Sequence, residues 1–165
     1  MSDISSSQPA VGDLAPDFTA LAVGGEYGEG TEVTSASLRG RPVVLYFYPK
    51  DNTPGCTKQA CGLREGWASL AGRAHVFGVS VDSARSHRRF IDKFSLPFPL
   101  LVDEEKALVQ AFGVWVEKTL YGRKYMGTER TTFVLDAEGR VAAVLPKVKP
   151  DRHFEAVLAV LEAGV

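Results

Sequence analysis

An α/β domain with a mixed central sheet is predicted by three observations. Two β-branched and aromatic runs, Val43–Tyr48 and Val76–Val81, lie about 25 residues apart, which is room for one helix and a right-handed crossover. Two later runs, Thr131–Leu135 and Val141–Leu145, flank the turn sequence Asp136-Ala137-Glu138-Gly139 and read as an antiparallel hairpin. Helical periodicity fills the stretches between and after them. The 165 residues are 45% hydrophobic and 24% charged, the profile of one folded domain, which sets aside disordered and fibrous classes.

The elements follow in order. Val11–Phe18 holds Gly12, Pro16 and Asp17, and Val23–Gly30 is glycine-rich, so the N-terminal portion reads as an extended or hairpin segment with turns. Val43–Tyr48 is apolar without alternation, as in a strand covered on both faces. Ser83 can cap a helix running to Phe94, with Phe90, Ile91 and Phe94 on its apolar edge. Leu100–Val102 makes a short strand, and Asp103 is expected to cap a helix with Glu104 and Glu105 in its first turn and Gly113 past its end. Gly122 and Gly127 punctuate a loop or hairpin over Trp115–Glu129, and Phe154, Val157, Leu158 and Leu161 mark one face of a last helix from about Asp151. A parallel sheet carrying a C-terminal antiparallel hairpin is the pattern of a thioredoxin-like domain, with helices flanking the sheet.

Charge and cysteine content narrow the function. Nineteen basic against twenty acidic residues give a net charge of −1, so no global field draws the chain to nucleic acid or to an anionic membrane. The apolar stretches Pro42–Tyr48 and Phe98–Val102 are far short of the ~20 residues that span a bilayer. Met1–Gln8 is Ser-rich, without the basic and apolar regions of a secretory signal; residues 1–10 read as a flexible tail, residues 11–165 as the domain, and the protein as cytoplasmic. Two cysteines build no disulfide framework, and a reducing compartment keeps them as thiols unless they cycle.

The cysteines sit where chemistry is expected. The segment Pro49-Lys50-Asp51-Asn52-Thr53-Pro54-Gly55-Cys56 follows the predicted central strand, at the carboxyl end where open α/β sheets place their sites. Thr53 as N-cap and Pro54 as the first helical residue start a helix whose third residue is Cys56. Ala60, Leu63, Trp67 and Leu70 continue from Cys56 along one face, so the sulfur points inward. Turning an ordinary thiol, ~3% ionised at neutral pH, into one that is mostly thiolate takes about 3.4 kcal/mol. A helix dipole contributes about 0.3–1 kcal/mol, and up to ~2 when partly buried, so a cation is required. Arg130, just before the strand Thr131–Leu135, is the candidate, because its fork can hold a sulfur and an oxygen together; Arg39, Arg41 and Arg64 stand next in line.

Cys61 lies five positions after Cys56. On an ideal helix that separation puts the Cα atoms roughly 8.7 Å apart, beyond the ~7 Å reach of a disulfide, so a bond between them requires the first turns to unwind. Gly55 and Gly62 lower the cost of that unwinding. Other readings remain. The thiols can be inert core residues. A zinc site fits poorly, because His75, His87 and His153 are scattered, and each reads as a surface residue. The spacing is C-x₄-C and not the C-x-x-C of dithiol exchange enzymes. Arg85, Arg88 and Arg89 read as a solvated helix face.

The motifs Ala15-Pro16-Asp17-Phe18, Tyr46-Phe47-Tyr48-Pro49-Lys50, Thr53-Pro54-Gly55-Cys56-Thr57, Gln59-Ala60-Cys61, Phe112-Gly113-Val114-Trp115 and Arg130-Thr131-Thr132-Phe133 together resemble a peroxiredoxin of the bacterioferritin comigratory protein (PrxQ) type, from about Val11 to Leu161. The resemblance implies reduction of hydroperoxides with Cys56 as peroxidatic thiolate, Cys61 as resolving thiol and thioredoxin as reductant, with no cofactor or metal. Thr53, Arg130 and backbone N–H groups would supply donors to the departing oxygen, and Pro49 would cover the thiolate. A resolving cysteine in the same chain allows a monomer. A peroxide-sensing switch that uses the same disulfide to expose a binding surface is the alternative, told apart by stoichiometry: a sensor reacts once, an enzyme turns over.

Overall fold

A computed structural model describes residues 8–165; most of the predicted tail, residues 1–7, lies outside the described residues. Gln8 already contacts the domain, its side-chain amide donating to the Gly113 carbonyl at 3.5 Å. The sheet contains β1 (Thr19–Val23), β2 (Thr31–Thr34), β3 (Val43–Phe47), β4 (His75–Ser80), β5 (Leu100–Val102), β8 (Thr131–Leu135) and β9 (Val141–Pro146) in the spatial order β2-β1-β5-β4-β3-β8-β9. The strands β3, β4 and β5 pair in parallel, and β1, β2, β8 and β9 join antiparallel. This is the mixed sheet of a thioredoxin-like domain. The N-terminal hairpin extends one edge, and the stretch 115–129 forms a separate ribbon of β6 (Trp115–Leu120) and β7 (Arg123–Thr128).

Alternation along β3 divides the core. Val44, Tyr46 and Tyr48 face a layer made by α1 (Pro54–Glu65), α2 (Trp67–Leu70), α3 (Ala84–Phe94) and α5 (His153–Glu162), where they pack with Leu63, Phe90 and Val157. Val43, Leu45 and Phe47 face the N-terminal hairpin and α4 (Ala107–Ala111), against Phe112 and Phe133. Both faces are covered, which explains why β3 reads as unbroken hydrophobic sequence. Gly78 on β4 is needed for this packing: a Cβ there would lie 2.8 Å from Cζ of Tyr46.

Two expectations about helices are corrected. The helix after Thr53 breaks at Gly66, giving α1 and α2, and the Phe154 ring of α5 occupies the space where a side chain at 66 would lie, so only glycine fits at the break. Asp103 does cap α4, but from outside its first turn: the carboxylate accepts from Leu108 N at 3.0 Å and Val109 N at 2.9 Å, while Glu104 and Glu105 stay in the preceding turn. Lys106, at φ 65°, lies between, and this left-handed residue delays the helix start. Ser83 caps α3 as expected, accepting from Ser86 N at 3.1 Å.

Candidate active site

Strand pairing builds the site. In the antiparallel β3/β8 register Phe47 lies opposite Thr131, so Arg130, one residue before β8, reaches the end of β3 where the chain turns into α1. Alternation puts Arg130 on the same face as Thr132, Tyr46 and Tyr48, which is the face α1 covers. The result is a contact across 74 positions of sequence: Arg130 Nη2 donates to Cys56 Sγ at 3.5 Å, and Nη1 donates to Gln59 Oε1 at 2.6 Å. The guanidinium fork thus holds the sulfur with one arm and is oriented by the helix with the other. The other candidate cations are engaged elsewhere: Arg39 faces Asp17 at 3.9 Å, Arg41 donates to the Ala71 carbonyl and Arg64 to the Phe94 carbonyl.

Cys56 is 2% exposed and Cys61 half-buried; both are free thiols on one continuous helix. Pro54 occupies the first helical position and Thr57 N bonds the Thr53 carbonyl at 2.8 Å. Gly55 N and Cys56 N have no acceptor among the described residues, so two donors at the positive end of α1 remain beside the sulfur. Thr53 has the backbone conformation of an N-cap, but its hydroxyl does not cap the helix. It donates to the Lys50 carbonyl at 2.9 Å. The single hydroxyl proton is thus committed to the loop, which leaves only the acceptor lone pairs of Thr53 Oγ1 free. Pro49 is half-buried in the same loop.

Several residues around this centre were given no role by the sequence. Gln59 sits one helical turn after Cys56, and that i, i+3 spacing on the inward face is the feature that could have found it. Tyr46 is buried with its hydroxyl unpartnered among the described residues, and burial, followed by the charge of Cys56, holds its pKa well above the ordinary value. Lys118 of β6 donates to the Thr128 carbonyl at 2.6 Å; burial first and the Arg130 charge second push its pKa down. Two of the three histidines are not surface residues. His87 is fully buried against Asp51 and the Leu101 carbonyl, and His153 is buried with Nε2 at 2.7 Å from Thr132 Oγ1. Only His75 keeps partial exposure. Each buried imidazole was hidden because its polar partners are distant in sequence.

Residues 11–144 match the AhpC/TSA family. A putative Bcp peroxiredoxin of Coxiella burnetii is 46% identical over 149 residues, covering 90% of this chain and 95% of that protein. Peroxiredoxin Bcp of Bacillus subtilis is 44% identical over 153 residues, with 92% and 94% covered. The chain belongs to the peroxiredoxins, in their Bcp/PrxQ branch. Among solved structures, bacterioferritin comigratory protein of Xanthomonas campestris superposes with a TM-score of 0.81 at 39% identity, covering 88% of this chain and 90% of that one. As a peroxiredoxin this protein is a thiol peroxidase, an oxidoreductase that needs a peroxide and a reductant. Among the described residues there is no helix long and apolar enough to cross a membrane.

Proposed function

We propose that Cys56 is the peroxidatic cysteine of this peroxiredoxin, Cys61 its resolving cysteine, and a dithiol protein of thioredoxin type its reductant. The observation that carries the assignment is the Arg130 Nη2 to Cys56 Sγ contact of 3.5 Å at the start of α1. The Cys56 thiolate attacks the terminal oxygen of R–O–O–H; the S–O bond forms, the O–O bond breaks, and the departing RO⁻ takes a proton to leave as ROH. Arg130 and the free N–H groups of Gly55 and Cys56 stabilise charge as it grows on that oxygen, where donors contribute more in the transition state than in the ground state. Thr53 Oγ1 orients the substrate by accepting its O–H, and Pro49, which has no N–H, covers the sulfur and excludes water. Alkyl hydroperoxides are a fitting class alongside hydrogen peroxide, since alkyl peroxide reduction is the activity described for the X. campestris protein.

The Cys61 thiol then displaces the hydroxyl of the Cys56 sulfenic acid, forming the disulfide and releasing water. Both cysteines lie on an intact helix, so this step follows unwinding of the first turns. A dithiol reduces the bond and is itself oxidised to a disulfide, which restores both thiols. No second subunit is needed, and a cytoplasmic monomer is the simplest form consistent with the cycle. The test is peroxide-dependent NADPH oxidation with thioredoxin and its reductase. Wild type is expected to turn over, Cys56→Ser to be inactive, and Cys61→Ser to consume one equivalent of peroxide and stop. Full turnover by Cys61→Ser removes the resolving role; a wild type that reacts only once favours the sensor reading.

A further inference from the structure

The loop between β3 and α1 carries Pro49 and Thr53, yet its firmest attachment is to neither the sulfur nor α1. Asp51, 7% exposed between the exposed residues Lys50 and Asn52, points into the domain. Its carboxylate accepts from Tyr48 Oη at 2.6 Å and Ser86 Oγ at 2.8 Å, and lies 2.7 Å from His87 Nδ1. Its backbone N–H donates to Asp82 Oδ2 at 2.9 Å, an oxygen that also accepts from Ser80 Oγ at 2.6 Å. His87 Nε2 lies 2.8 Å from the Leu101 carbonyl. A carbonyl only accepts, so Nε2 carries a proton, and a single further proton bridges Nδ1 and the Asp51 carboxylate.

We propose that Asp51 and His87 are positioning residues that hold the loop from Pro49 to Thr53 in its reactive geometry, independently of α1. This rests on the peroxidase reading above. Among the described residues, the hydrogen-bond partners of Asp51 lie on α3 (Ser86 and His87), in the turn between β4 and α3 (Asp82) and at the loop's own Tyr48; none lies on α1. The contacts that fasten Cys56, by contrast, run from Arg130 to α1 and to its Gln59, and these break when α1 unwinds. The Asp51 attachments therefore do not depend on α1, whose own tie to the loop is the bond from Thr57 N to the Thr53 carbonyl. Asp51 acts on the reacting atoms through the chain: fixing it fixes the preceding Lys50 carbonyl, which holds the Thr53 hydroxyl at 2.9 Å and so leaves its lone pairs facing the substrate. A buried ionisable pair is a poor way to gain stability compared with apolar residues, and in some proteins such pairs serve to fix one geometry among several.

The experiment separates loop geometry from thiolate formation by two reactions of the same sulfur. Single-turnover oxidation of Cys56 by hydrogen peroxide requires the loop to hold the peroxide; alkylation by iodoacetamide requires a thiolate and access to it, but no held peroxide. Asp51→Asn, which preserves shape while changing the proton arrangement, is expected to slow peroxide oxidation at least ~10-fold, with alkylation at least as fast as in wild type. Ser86→Ala removes one bond to Asp51 without stranding a charge and is expected to give a smaller loss in the same direction, which keeps the test available if Asp51→Asn folds poorly. A folded variant of either kind with wild-type peroxide rates, or with both reactions slowed alike, overturns the proposal. A wild type whose Cys56 is unreactive to peroxide overturns it together with the peroxidase assignment.

Discussion

At the residue scale the chemistry rests on a few side chains whose polar atoms are committed in particular ways. Arg130 spends one arm on Gln59 and aims the other at the sulfur. Arg130→Met is therefore expected to slow Cys56 oxidation by ~10² or more, about 2.7 kcal/mol, the loss typical of one transition-state donor; competition kinetics against a reference peroxidase would measure it, and a full-rate mutant would move the cation role elsewhere. His153 makes a different prediction. Burial first, then the Arg130 charge, lowers its pKa from 6.5 to about 4. As pH falls through that window the unfolded chain takes up a proton that the native imidazole refuses, so stability is lost on acidification, by about 3 kcal/mol in total. Urea unfolding from pH 7 to 4 should show this loss in wild type and a shallower one in His153→Gln; equal slopes would show that His153 does not titrate as described.

At the scale of elements, α1 does two jobs, presenting Cys56 at its start and carrying Cys61 in its middle, and its C-terminal end packs against α5. The Phe154 ring lies where a Gly66 Cβ would sit, 2.1 Å from the nearest ring carbon. Gly66 has φ −95°, a conformation open to any residue, so the constraint is space and not backbone strain. Gly66→Ala is expected to cost about 1–3 kcal/mol through overpacking. Adding Phe154→Ala should remove most of the Gly66→Ala penalty, read as a double-mutant cycle by urea denaturation; strict additivity would show that the two positions do not compete for that volume. How much of the elements was legible follows the same division. The strands β3, β4, β8 and β9 and the cap of α3 were readable because their signals are local: composition, alternation and one serine. The need for glycine at the break was not, because the ring that leaves no room for a side chain at 66 is brought in from the last helix of the chain.

At the scale of the whole molecule, the sheet places Arg130 and the Asp51-held loop beside the start of α1. Arg130, Thr132 and the loop held by Asp51 belong to the sheet and its attachments; α1 is the part that must unwind for Cys56 and Cys61 to meet. Adding one equivalent of peroxide is therefore expected to lower the helical circular dichroism of the wild type by about one or two turns of helix, since a five-residue separation on an intact helix exceeds disulfide reach. Dithiothreitol should restore it, and Cys61→Ser should show no change. An oxidised wild type with unaltered helicity would mean that the bond forms without unwinding, or forms between chains.

By itself the sequence determined the fold class, the position of the two thiols at a strand-to-helix junction, and the need for a cation to ionise one of them, because these depend on residues within a few positions of one another and on general electrostatics. It also singled out Arg130, by its place at a strand entry and by the family motif. Only the tertiary structure decided that Arg130, alone among the described arginines, donates to the sulfur, that the Thr53 proton is already used, and that Asp51 and His87 are joined inside the domain. Those facts depend on the register of β8 against β3 and on the packing of α3 over β4, which bring together residues that chain spacing leaves unrelated.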